Sequence, residues 1–366
     1  MNVMKVLMLG EGLDRQGGIV SVEKLILEEA TSDVVFKHIA TLPKGSSVYK
    51  VLVFFKAIVE LFWRLLLKEA DLVHIHVSER GSAFRQAITA LIIIGFRIPV
   101  IMHTHSCDFH SFYSKLPQWI QQWMSWVFGS CTRFIVLSES WKTYYIENIG
   151  LKQKRVIVLP NPVKIPLQVP QRLGSQKVNI VFLGRIGQRK GAFDLIQAFA
   201  SLPTEQKTCS RLTVAGDGEG EQARSLVKSL NLTDYITILD WVNQEQRDAL
   251  LAKADVFVLP SYNEGLPMAV LEAMSWSLPV ITTPVGGIPE VITHNQNGLL
   301  VTPGNIQDLS EAMQSLIKDE QMRLSLGNKA RISVKHLDVR DYFGSLKNIY
   351  NSVLTVNNQQ LVNTVK

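Results

Sequence analysis

Short apolar runs of strand length recur along the chain: VMKVLML (residues 3–9), DLVHIHV (71–77), PVIMHT (99–104), RFIVLS (133–138) and RVIVLP (155–160). Segments of helical length separate them, such as IVSVEKLILEEA (19–30) and a stretch from Ser82 to Gly95. Near-continuous Val/Ile/Leu strands alternating with helices predict a parallel sheet covered on both faces. At Leu159 the pattern breaks into PNPVKIPLQVPQRLGSQK, which has four prolines and no periodicity, and then restarts with VNIVFLG (178–184), RLTVAG (211–216), YITILD (235–240) and ADVFVLP (254–260). A proline-rich stretch between two copies of one architecture reads as a linker. The expectation is an α/β chain of two Rossmann-like domains: residues 1–160, a linker at 161–176, and residues 177–340. A C-terminal helix and tail, 341–366, is expected to pack back on the first domain. Ligands of open α/β sheets sit at the carboxyl ends of the strands, so the cleft between two such domains is the expected site.

Two helical stretches carry a different pattern. In YKVLVFFKAIVELFWRLLLKEA (49–70), Lys56, Glu60, Arg64 and Lys68 recur every four positions and draw one narrow polar stripe on an otherwise apolar helix. Charge at every turn is incompatible with a bilayer span. The choice lies between a helix largely buried in the first domain, the reading preferred here, and an interfacial helix on acidic lipid. The segment LPQWIQQWMSWVFGSC (116–131), with Trp119, Trp123 and Trp126, poses the same choice between core packing and membrane-surface contact.

Composition narrows the class. With 366 residues, 46% of them hydrophobic and 19% charged, the chain suits a packed two-domain enzyme rather than a disordered or fibrous protein. Three widely spaced cysteines, Cys107, Cys131 and Cys209, fit free thiols and a cytoplasmic location. The N-terminal MNVMKVLMLGEG lacks the apolar length and cleavage site of a secretory signal and reads as a first strand. The net charge of +6 is concentrated early: residues 1–160 carry 18 basic and 13 acidic residues, against 20 and 19 in the remainder. Such an excess draws an anionic partner or serves only solubility.

Glycine-rich loops follow several strands. GEGLDRQGG (10–18) stands between the first strand and a helix, where glycines admit a ligand close to the backbone and a helix N-terminus favours phosphate; its spacing is not that of the dinucleotide fingerprint. GRIGQRKG (184–191) brings Arg185, Arg189 and Lys190 to the end of a strand, the groups that holding a diphosphate requires. GDGEGE (216–221) ends the next strand, with Asp217 as a weaker candidate. The most informative stretch is LPSYNEGLPMAVLEAMSWSLPVITTPVGGIPEVI (259–292): a buried strand, a loop with Glu264 and Gly265, Pro267 at a helix start, and Glu272 about two turns on. A carboxylate accepts from vicinal hydroxyls, which suits Glu272 to a ribose and Glu264 to a sugar.

The glutamate pair with seven residues between, GRIGQRKG before it and GGIPE after it, together with the N-terminal Gly-Gly loop, HTHSCDF and IVLSES, resembles the family-4 retaining glycosyltransferases of GT-B fold over nearly the whole chain. That resemblance implies that Arg185 and Lys190 neutralise the donor diphosphate, Glu264 contacts the transferred sugar and Glu272 binds the nucleotide ribose. Gly265 and Leu266 would offer backbone N–H groups, Gly17 and Gly18 would close over the leaving group, and Val242, after Trp241, would meet the base. It also implies a hexose-type sugar on a nucleotide, UDP being the commonest, a glycan or polyprenyl-linked acceptor in cell-surface polysaccharide synthesis, and no cofactor. Where the family commonly has glycine before Leu-Pro-Val, this chain has Ser277, a departure that bears on the local turn.

The eight residues HTHSCDFH (103–110) first suggest a metal site in a hydrolase. Zinc sites pair histidines three or four apart on a helix, or close cysteines, whereas His103 and His105 alternate at a strand end. The resemblance instead sets His105 toward the donor sugar and Asp108 toward the acceptor, with His103 in reserve, Cys107 and His110 as bystanders, and no metal. The charge and tryptophans of the N-terminal half suit a phosphorylated, membrane-embedded glycolipid acceptor and an inner-membrane surface contact; nucleic acid is not an expected partner. Two alternatives share the fold: a nucleotide-sugar epimerase or hydrolase, and a non-catalytic nucleotide-sugar-binding subunit.

Overall fold

The computed structural model describes residues 3–174 and 177–364, with side chains described through Thr355. The chain forms two compact units, Met1–Pro162 with Val339–Lys366, and Val163–Asp338. The first unit holds a six-stranded sheet of β1 (Met4–Glu11), β2 (Val34–Leu42), β3 (Leu72–Val77), β4 (Val100–Thr104), β5 (Arg133–Val136) and β6 (Val156–Val158). Its order is β2-β1-β3-β4-β5-β6, and every pairing is parallel. β3 and β4 are buried at every position, their apolar residues together with His74, His76 and His103.

The second unit repeats the plan with β7 (Val178–Leu183), β8 (Ser210–Ala215), β9 (Ile236–Leu239), β10 (Val256–Leu259), β11 (Val280–Thr282) and β12 (Leu299–Leu300), in the order β12-β11-β10-β7-β8-β9. In each sheet the first strand of the unit is flanked by strands reached in opposite directions. The β1/β3 and β7/β10 gaps are therefore topological switch points, where ligands settle beyond the carboxyl ends of the strands.

The chain passes from one unit to the other at Pro162 and again at Val339, and the proline-rich segment at the first of these is not a loose tether. The Arg172 guanidinium donates to the carbonyls of Ala254 and Leu251 at 2.6 and 3.0 Å, and Arg331 holds the Pro166 carbonyl, so residues from Val163 onward pack with the second unit. The final helix, Val339–Thr364, belongs to the first unit. Phe343 and Tyr350 meet Phe36 of β2 edge-on, and Lys347 pairs with Asp33.

The helix Ser47–Leu66 departs from the expectation of burial. Only Ala57, Leu61 and Leu65 are buried. Val48, Leu52, Phe55, Val59, Phe62 and Leu66 line the opposite side and stand exposed, Phe55 at 64%. The stripe of four-residue period was read correctly as polar, but Glu60 and Arg64 fold onto each other at 2.7 Å and Arg64 reaches Glu69 at 2.8 Å beside the inward seam. Polarity along one line did not mean that everything else faced inward. Each large side chain left in water forgoes roughly 1.5–3 kcal/mol of burial. The tryptophan helix, Gln118–Ser130, is also split: Trp123 stacks near Phe84, whereas Trp119 and Trp126 are 70% and 61% exposed.

Ser277 occupies the left-handed region at φ 59°, immediately after the helix Met268–Ser275. Its N–H donates to the Met274 carbonyl at 3.0 Å and the Leu278 N–H to the Ala273 carbonyl at 3.1 Å, the paired closing bonds of a Schellman turn. A side chain there costs about 1 kcal/mol relative to glycine. Ser277→Gly is expected to raise the melting temperature by about 2 °C, read by calorimetry; a lower melting temperature would mean that the hydroxyl offsets the strain.

Candidate active site

At the β7/β10 switch point two loops close on each other. The loop after β7 ends in the 3-10 turn Gln188–Lys190 and then Gly191, at φ 69°, before the helix Ala192–Ala200. A Cβ on Gly191 would stand 2.2 Å from the Pro260 carbonyl oxygen, so only glycine lets the β7 loop lie against the end of β10. The Tyr262 N–H donates to the Arg189 carbonyl at 2.9 Å and ties the loops by backbone. Across this seam the Lys190 ammonium pairs with Oε1 of Glu264, and the Ser261 hydroxyl donates to the same oxygen at 2.7 Å. Arg189 donates to the Asn263 carbonyl at 2.9 Å, its guanidinium 3.9 Å from Glu264 Oε2.

Glu264 is 4% exposed, a buried carboxylate held by cations and a hydroxyl rather than by water. A third loop completes its support. Gly286, at φ 57°, sits where a Cβ would be 1.9 Å from the Glu264 carbonyl oxygen, and the Gly287 N–H donates to the Gly265 carbonyl at 2.6 Å. Gly265 and Leu266 are buried in the turn that opens the helix Met268–Ser275. The Tyr262 hydroxyl donates to Asp194 at 2.7 Å and fixes the loop from its outer side.

The other sequence-predicted groups of this unit stand in pairs of their own. Arg185 is 68% exposed along its side chain and meets Asp217 loosely, at 3.5 Å, so its guanidinium is free to turn toward an anion. Glu272 is bound by Arg247 at 2.6 Å; burial raises its pKa, and Arg247 opposes that rise. Val242 is half-buried after β9, beside the exposed Trp241.

In the first unit the loop after β1 ends at Gly17, at φ 143°, which precedes the helix Gly18–Glu28. A Cβ on Gly10 would collide with the buried Glu23, whose carboxylate accepts from the Glu11 N–H at 3.3 Å and lies 3.2 Å from His38 Nε2. At the ends of β3 and β4, four histidines gather. His103 and His105 lie with ring centroids 4.2 Å apart, and His74 and His76 of β3 stand beside them. Tyr350 bonds His74 Nδ1 at 2.7 Å, His74 Nε2 bonds His103 Nδ1 at 3.2 Å, and His76 Nδ1 bonds His105 Nε2 at 2.9 Å. Nitrogens of His74, His76 and His103 come within 4.8 Å of one another. The rings of His74 and His103 lie 8° from parallel, however, and His76 stacks on His74 at 30°. The facing nitrogens are paired with one another, His74 with His103 and His76 with His105. The arrangement is a hydrogen-bonded stack.

Burial drives all four imidazoles toward the neutral form, His74 and His105 down to about 3, with the Asn161 side chain opposing the fall at His105. Asp108 precedes the short helix Phe109–Ser114, Cys107 lies 4.0 Å from Glu79, and the His110 ring faces Trp141. The structure thus joins Lys190 to Glu264, and His103 to His105, while Arg185 and Glu272 keep separate partners. Sequence reasoning missed Ser261, Arg247, His74, His76 and Tyr350. The repeated His-x-His in DLVHIHV was a usable signal for two of them, while Tyr350 lies far away in sequence.

Comparison with known proteins identifies the family and the fold. Residues 6–165 match the family described as Glycosyltransferase Family 4, and residues 167–333 match Glycosyl transferases group 1. The UDP-Gal:alpha-D-GlcNAc-diphosphoundecaprenol alpha-1,3-galactosyltransferase of Escherichia coli is 26% identical over 85% of this chain and 82% of its own length. The N-acetyl-alpha-D-glucosaminyl L-malate synthase of Bacillus anthracis is 35% identical, but over 44% of this chain and only 41% of that protein. Among solved structures, Anabaena HepE in complex with UDP-glucose superposes with a TM-score of 0.77 at 19% identity, covering 95% of this chain and all of that one. WaaG, a glycosyltransferase involved in lipopolysaccharide biosynthesis, gives 0.70 at 15%, covering 94% and 99%. These two likenesses speak to the fold.

The neutral histidine stack sets a pH dependence. An unfolded histidine titrates near 6.5, and His74 and His105 titrate about 3 in the fold. Between those values the unfolded chain binds more protons, so this contribution is complete above pH 6.5 and is lost as pH falls toward 3. The expected loss is roughly 1.4 kcal/mol per pH unit for each such histidine. Melting temperatures from pH 7.5 to 5 should decline, and His74→Gln should flatten part of the slope; an unchanged slope would contradict the assignment.

Proposed function

This chain belongs to the family-4 glycosyltransferases of GT-B fold, enzymes of polysaccharide or glycoconjugate biosynthesis, and on that premise we propose that it is a retaining enzyme moving a hexose-type sugar from a UDP-sugar to a glycan or polyprenyl-linked oligosaccharide. The observation that carries the reading is the Lys190–Glu264 pair, buried where the loops after β7 and β10 meet at a switch point. The UDP-glucose bound by the Anabaena protein and the UDP-Gal in the name of the Escherichia coli relative support the choice of donor.

Transfer breaks the bond between the sugar's anomeric carbon and the diphosphate and forms one to an acceptor hydroxyl. Charge grows on the departing phosphate oxygen as the sugar becomes oxocarbenium-like, so stabilising that oxygen is the main task of the protein. Lys190 and Arg185 supply positive charge at the end of β7, Lys190 held in place by Glu264 and Arg185 free to turn toward the diphosphate. Glu264 accepts from the sugar hydroxyls, and the backbone at Gly265 and Leu266 donates to phosphate or sugar. Glu272, oriented by Arg247, accepts from the ribose hydroxyls, Asp217 borders the donor and Val242 meets the base. On the other unit, Gly17 and Gly18 approach the leaving group and neutral His105 contacts the sugar, with His103 and Asp108 on the acceptor side. In front-face transfer the leaving phosphate oxygen takes the acceptor's proton, so no dedicated base is needed. With cationic side chains on the diphosphate, the reaction uses no metal and no cofactor. The three cysteines, none of them in a disulfide, accord with a cytoplasmic site of action.

Glu264→Gln and Lys190→Ala are expected to lower transfer about 100-fold or more while circular dichroism stays unchanged; retained activity in either would remove these residues from the site. A calorimetric screen of UDP-sugars should raise the melting temperature with the true donor by mass action, and no rise with any nucleotide-sugar would overturn the donor reading. Activity should persist in chelator; loss restored by a divalent cation would reverse the metal-free assignment.

A further inference from the structure

The outward side of Ser47–Leu66 is apolar over its whole length. Val48, Leu52, Phe55, Val59, Phe62 and Leu66 follow one another at alternating steps of four and three and are all exposed. That periodicity keeps them on one line of the helix. The surface does not end there. The helix Gly81–Gly95 packs against both Ser47–Leu66 and Gln118–Ser130, and it exposes Ile88, while the third helix exposes Trp119 and Trp126. Three neighbouring helices of one unit thus each expose large apolar side chains. No helix among the described residues is long and apolar enough to cross a membrane.

The charge along this helix is predominantly basic. Residues 44–69 carry Lys44, Lys50, Lys56, Arg64 and Lys68 against Glu60 and Glu69, and Arg64 already binds both acids, at 2.7 and 2.8 Å. The other two helices contain no acidic residue. A seam of four-three spacing would also suit a second copy of the helix, but a symmetric contact sets a surface against itself and would bring these lysines against their own images. An anionic bilayer surface accepts both the lysines and the apolar stripe, with indole rings at the headgroup level.

We propose that this face docks on an anionic lipid surface, with Ser47–Leu66 lying in the plane of the headgroups and the two tryptophans beside it. The surface stands on its own observations, and its test reads binding rather than sugar transfer, so it can fail without the proposed reaction failing. The full chain would be sedimented with vesicles of phosphatidylcholine containing phosphatidylglycerol, and with phosphatidylcholine alone. Binding is expected to the anionic vesicles, weaker in high salt, with a blue shift of tryptophan fluorescence. The triple substitution Leu52→Glu, Phe55→Glu, Val59→Glu should lower vesicle affinity about tenfold or more at an unchanged melting temperature, because all three side chains are more than half exposed. Absence of anionic-vesicle binding, or equal binding by the triple variant, would overturn the proposal. So would a wild-type dimer that fails to bind vesicles and that the same substitutions convert to monomer.

Discussion

Everything at the candidate donor site depends on how closely the loops after β7 and β10 approach. Gly191 permits that approach, since any side chain would overlap the Pro260 carbonyl. Once the loops touch, Lys190 and Glu264 are forced together out of bulk water, where each charge would be costly without the other. Ser261 and the glycines at 286 and 287 then fix the carboxylate and its backbone. The pair is thus pre-set: a cation and a carboxylate held side by side by the loops that carry them.

The first unit solves its own switch point by different means. Instead of ion pairs it gathers four neutral imidazoles at the ends of β3 and β4 and anchors them through Tyr350 on the last helix. Burial keeps these rings uncharged, and the hydrogen bonds hold their orientations. The long return of the chain to the first unit therefore does more than close the sheet on one side. It brings a phenol under the histidines that the strands alone would leave without that partner.

Several elements were legible because their physics is local. Strand-length apolar runs gave both parallel sheets, and the strand-loop-helix context read around Glu264 is the one the fold adopts. The alternation of His103 and His105 correctly set both on one side of β4. The helix Ser47–Leu66 was different. Its sequence has one polar stripe and apolar residues all round, and periodicity says which residues share a line but not which line meets the sheet. The seam chosen by packing is Ala57, Leu61 and Leu65, smaller than the stripe left outside.

Sequence by itself determined the two α/β halves, the strand-end loops and the identity of the charged groups they carry, because strand pleat, glycine freedom and helix starts depend on neighbours a few residues away. Tertiary structure alone decided the pairings. Lys190 meets Glu264 across 74 positions, Arg247 meets Glu272 across 25, and Tyr350 reaches His74 across 276. Contacts of that span arise from sheet order and crossover, which no local pattern encodes, and the same is true of which face of an all-round apolar helix the protein leaves bare.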